Sequence, residues 1–95
     1  MTTRKEYIEK AKTKLDNLDT GLAELEARAN AAKGDLKQEI VDEIYEIKQS
    51  KRILEDNIHE LRSASDAAWD DLRAGVEHAW QSLSQSVESA AQRFR

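Results

Sequence analysis

The sequence predicts an all-α protein: a long N-terminal helix with a shorter C-terminal helix folded back along it. Three observations carry that prediction. Charged residues make up 36% of the 95-residue chain and aromatics 5%, with no proline and three glycines, a composition that suits long amphipathic helices. Through the first two thirds of the chain, apolar residues recur on alternating three- and four-residue steps, the spacing of a coiled-coil seam. The last third says one eleven-residue phrase twice, Ala68-Trp69-x-x-Leu72-x-x-x-Val76 and Ala79-Trp80-x-x-Leu83-x-x-x-Val87, and starts a third copy at Ala90-Ala91 that stops at Phe94.

The first helix can begin at once, because Thr3-x-x-Glu6 is a capping-box pattern. Its seam is Ile8, Ala11, Leu15, Leu18, Leu22, Leu25, Ala29, Ala32 and Leu36. Asp16, Asn17, Asp19, Thr20 and Gly21 are poor helix formers, so this stretch depends on its leucines. A second seam, Ile40, Ile44, Ile47, Lys51, Leu54, Ile58 and Leu61, follows with its phase slipped by one residue. The slip falls beside Lys33-Gly34-Asp35. There Gly34 can end a helix and Asp35-x-x-Gln38 can cap a new one; equally, one glycine inside a helix costs only about 1 kcal/mol. Glu6 with Lys10 and Glu24 with Arg28 stand at i,i+4 spacing, where each pair adds about 0.2–0.5 kcal/mol.

Ser63-Ala64-Ser65-Asp66 gives a clearer break, with two N-cap residues and an acid for the first turn. Running both seams outward from it sets Leu61 against Ala68, Ile58 against Leu72, Leu54 against Val76 and Lys51 against Ala79. Ile47 then meets Leu83, Ile44 meets Val87, Ile40 meets Ala90, and Leu36 meets Phe94. The expected architecture is therefore a single domain over residues 1–95. Helix 1 runs over about residues 3–62, the turn over 63–65 and helix 2 over about 66–94, as an antiparallel helical hairpin or coiled coil, oligomeric because the leucines of residues 3–33 need a cover. The alternative is a monomeric three-helix bundle with a break at Gly34.

The eleven-residue repeat spans three turns at 3.67 residues per turn. Val76, Ala79, Trp80 and Leu83 thus form a core face broader than a heptad seam. Trp69 and Trp80 flank the alanine line, as core or as a binding face. The residues expected to make interactions are Leu15, Leu18, Leu22, Leu25, Trp69 and Trp80. Lys51 interrupts an apolar seam opposite Ala79, where a long stem can snorkel past a small partner or set register.

Chemistry is scarce. No cysteine is present, which excludes disulfides, thiolate metal sites and thiol catalysis. Asp56-x-x-His59 is half of a di-iron helix motif whose other carboxylates are missing, so no metal and no cofactor are expected. No nucleophile stands with a base and no glycine loop cradles a phosphate, so no enzyme is expected. A net charge of −4 argues against nucleic acid as a partner. No apolar run approaches the ~20 residues of a membrane span and no leader-like stretch opens the chain, so a cytoplasmic protein is the expectation. The repeat's polar face lacks the lysine belt of a lipid-surface helix.

Two stretches, Met1–Leu18 and Ser63–Arg95, resemble the small bacterial coiled-coil proteins of the stress-response type, with cyanobacterial and proteobacterial members. The resemblance rests on Thr2-Thr3-Arg4-Lys5-Glu6-Tyr7-Ile8, on Ala68-Trp69-Asp70-Asp71-Leu72-Arg73-Ala74-Gly75-Val76-Glu77 with Ala79-Trp80, and on Ala91-x-Arg93-Phe94. It implies an unbroken first helix with a shorter one folded back. The functional expectation is a non-enzymatic structural or interaction protein that self-associates, as a dimer, in stress adaptation. The alternatives are an accessory subunit docking its exposed helix seam on a larger protein assembly, and an amphipathic binder of lipid surfaces.

Overall fold

Gly34 breaks the chain. In a computed structural model, which describes residues 3–94, three helices of nearly equal length follow one another: α1 (Arg4–Ala31), α2 (Asp35–Leu61) and α3 (Asp66–Arg93). The expected hairpin with one unbroken helix over about residues 3–62 is therefore replaced by a three-helix bundle, and the two-helix coiled-coil description built on the eleven-residue repeat falls with it. Met1, Thr2 and Arg95, which belong to the stretches carrying the family resemblance, lie outside the described residues.

The break shows in the backbone at two residues. Ala32 leaves the helix at φ −82°, ψ 160°, and Gly34 then takes φ 65°, ψ −139° at the N-cap of α2. A Cβ makes that conformation strained, and glycine adopts it freely. Asp35 is thus the first helical residue of α2 and sits at the positive end of the helix dipole. It does not form the expected cap with Gln38, whose amide donates to Asp42 Oδ1 at 2.8 Å. The other two starts are capped by side chains. Thr3 Oγ1 accepts from the Glu6 amide at 3.1 Å, and Ser65 Oγ accepts from the Ala68 amide at 3.2 Å.

Short connections force neighbouring helices antiparallel, so α1 and α3 run parallel, up-down-up. Polar contacts fix both ends of that arrangement. At one end Arg4 reaches the α2–α3 turn, donating to the Ala64 carbonyl oxygen at 2.6 Å and to Asp66 Oδ1 at 2.7 Å. At the other end Arg28 Nη1 donates 2.7 Å to the Ala91 carbonyl oxygen, one of the last-turn acceptors that α3 leaves without an intrahelical donor. Arg28 thereby serves the fold across helices and not in the expected pair with Glu24.

The core is wholly apolar. Ile8, Leu15, Leu18, Leu22, Leu25 and Ala29 of α1 meet Ile40, Ile44, Ile47, Leu54, Ile58 and Leu61 of α2 and Val76, Leu83, Ala90 and Phe94 of the α3 end. Half-buried Trp69, Leu72, Ala79, Trp80 and Val87 widen the α3 face, which has to serve two neighbours. Leu36, set against Phe94 in the hairpin register, is 50% exposed. Among the described residues Lys51 is the one charge on a buried seam: its ammonium pairs with Asp19 of α1 at 2.5 Å and Glu55 at 3.4 Å. The hydrogen bond to Asp19 outweighs burial and raises the Lys51 pKa. Near mid-bundle α1 and α3 pass close together, since a Cβ on Gly21 would lie 3.0 Å from Val87 Cγ1.

Candidate interaction site

All six residues singled out in the sequence lie inside or against the bundle. Leu15, Leu18, Leu22 and Leu25 are 6%, 7%, 4% and 1% exposed, so the leucine seam is covered by the chain's own α2 and α3. Trp69 and Trp80 are half-buried and pack on the core. They face α1: the Arg4 guanidinium lies 4.7 Å from the Trp69 ring centroid, and the Lys14 ammonium lies 5.8 Å from that of Trp80. Both are cation–π distances.

Tyr7 joins this aromatic wall. Its ring stands edge-on to Trp69, with centroids 5.7 Å apart and planes at 74°, and its hydroxyl donates to Glu77 Oε1 at 3.3 Å. Burial and the Glu77 carboxylate, by charge and hydrogen bond, push the Tyr7 pKa up to about 12 from 10.0, with Arg73 opposing. The folded protein therefore holds this proton to higher pH than the unfolded chain does. The associated stability is intact below pH 10.0 and is lost as pH rises through about 12. In a Tyr45→Phe variant, which leaves Tyr7 as the single phenol, absorbance titration should place phenolate formation near 12. Adding Glu77→Gln should bring it part of the way back, since burial remains.

Beside this wall, α1 and α3 part to leave a cleft of ≈ 290 Å³ floored by Leu54, Ile58 and Val76, with Ala11, Lys10 and Lys14 on one side and Trp80 and Gln81 on the other. A second surface lies on the outer side of α2, where Val41, Tyr45 and Ile53 are 42%, 64% and 60% exposed. Val41 and Tyr45 are one turn apart, and Ile53, twelve residues from Val41, lies about a third of the way round the helix; all three face away from the buried Ile40, Ile44, Ile47 and Leu54. In the sequence the signal for this surface is only that Val41, Tyr45 and Ile53 are large apolar residues off the seam.

Among the described residues no group of three or more His, Cys, Asp and Glu side chains is placed to hold a metal ion; His59 of the Asp56-x-x-His59 pair is exposed. No helix there is long and apolar enough to cross a membrane. In comparisons with known proteins, no family model, no curated protein and no solved structure matches the chain.

Proposed function

We propose that this chain is a non-catalytic accessory protein that lays a helix face on a larger protein assembly, in the bacterial cytoplasm and in the setting of stress adaptation. The observation that carries the reading is the α2 ridge. The leucines that could have bound another chain lie in the bundle core, while Val41, Tyr45 and Ile53 remain exposed on α2. Val41 and Tyr45, one turn apart, stand at the i, i+4 spacing by which an amphipathic helix enters a partner's hydrophobic groove. Arg52, also exposed beside them, adds a charged rim of the kind that orients a partner. The setting rests on the resemblance of the terminal stretches to small bacterial stress-response proteins.

The test is recovery of a stoichiometric partner from bacterial lysate by the tagged wild type and by a Val41→Glu/Tyr45→Glu/Ile53→Glu variant. The ridge variant should keep its circular dichroism and melting profile and lose the partner. A partner retained equally by both proteins would end this reading.

A further inference from the structure

The α1–α3 cleft has the chemistry of a binding site and is separate from the α2 ridge. Its origin lies in side-chain size. Helices α1 and α3 meet closely where Gly21 faces Val87, and the gap between them opens toward Ala11, a small half-buried residue between the buried Ile8 and Leu15. The helix behind closes the gap: Leu54 and Ile58 are 1% and 3% exposed, and Val76 of α3 is 3% exposed. A volume of ≈ 290 Å³ is near the small end of ligand cavities.

Charge on the walls is asymmetric. Lys10 and Lys14 stand one turn apart on the α1 wall, both exposed, and among the described residues neither takes part in an ion pair. On the opposite wall the acid, Glu77, already accepts the Tyr7 hydroxyl. Gln81 and the indole of Trp80 form the rest of that wall, with the Lys14 ammonium over the ring. A closed apolar floor, half-buried Tyr7, Ala11 and Trp80 above it, and two ammonium groups outside any ion pair at the rim are complementary to a molecule with an apolar body and one anionic end.

We propose that this cleft binds a small amphipathic carboxylate of the medium-chain fatty-acid class, with its chain against the half-buried Tyr7, Ala11 and Trp80 and its carboxylate between Lys10 and Lys14. The occupant is a single free molecule held between two helices, not a bilayer surface. Carboxylate–ammonium contacts orient it, and the half-buried Tyr7, Ala11 and Trp80 supply the apolar contact that retains it.

Trp80 reports occupancy directly, so the experiment uses the full chain carrying Trp69→Phe, with decanoate below its micelle-forming concentration as the probe. A saturable change in Trp80 emission is expected. Decan-1-ol should bind about tenfold more weakly, the difference a single charge-assisted contact makes. Lys10→Gln/Lys14→Gln, a change confined to exposed side chains, should remove the preference for decanoate over decan-1-ol. Ala11→Leu should fill the space and abolish the saturable response while helix content by circular dichroism is unchanged. Equal affinity for the acid and the alcohol, or a response unaltered by Lys10→Gln/Lys14→Gln, would overturn the proposal. So would an emission shift seen only with phosphatidylglycerol vesicles, which would assign the face to surface adsorption.

Discussion

Replacing Gly34 with alanine should double the mass of the particle seen by light scattering relative to the wild type at equal concentration. Gly34 holds φ 65°, ψ −139°, and a Cβ in such a region of backbone space costs about 1–3 kcal/mol. If the same residue becomes helical, alanine instead gains about 1 kcal/mol over glycine. Both effects act in one direction, away from the turn and toward a continuous helix joining α1 to α2. That helix would carry Leu15, Leu18, Leu22 and Leu25 away from their own α2 and α3. A second chain could then supply the missing cover by exchange of α1, the usual outcome when a hinge is straightened. A wild-type mass with only a lowered melting temperature would show that the bundle holds its turn against the strain.

Leu25→Ala should destabilise the fold by about 2–5 kcal/mol, the range for removing a buried leucine and leaving a partly unfilled space. Leu25 is 1% exposed and belongs to the common core of the three helices. For a domain of this size that loss is a large share of a total stability of roughly 5–15 kcal/mol. Leu36→Ala provides the contrast: it lies on the same sequence seam but is 50% exposed, so its change should stay within about 0.5 kcal/mol. Urea unfolding of the two variants measures both. A two-helix hairpin would predict the reverse order, with Leu36 against Phe94 and Leu25 uncovered within the chain.

These contrasts show what the sequence does and does not encode legibly. Ile8 to Ala29, Ile40 to Leu61, and Val76, Leu83 and Ala90 could be read as buried faces because helical periodicity depends on residues a turn apart. What such a seam faces is another matter, since one apolar stripe fits a helix of the same chain as well as a helix of another. The choice fell to Gly34, where ending the helix and running through it differ by only about 1 kcal/mol in local terms. Tertiary burial of the α1 leucines decided it, and no local pattern contains that term. Leu36 misled for the same reason: it continues the heptad spacing across a turn that spacing cannot see.

The candidate surfaces were legible to different degrees. Trp69 and Trp80 could be placed on the flank of α3 by their repeat, but not assigned to α1 as the neighbour they cover. The cleft depends on Ala11, Val76 and Trp80 coming together from two helices that are not adjacent in sequence. Lys51 was visible as a charge on a seam, whereas its partner Asp19 became a neighbour only once α1 folded back.

An odd number of antiparallel helices has a consequence for whatever this chain is joined to. The rod measures 51 × 17 × 17 Å, and an up-down-up path brings the start of α1 and the finish of α3 to opposite poles. The hairpin register would instead have ended the chain at mid-rod, with Phe94 beside Leu36. Any segment or fused partner attached before Thr3 is thereby separated along the rod from one attached after Phe94, and copies linked end to end would extend in line. With turns at Gly34 and at Ser63–Ser65, the bundle is thus a spacer one helix long.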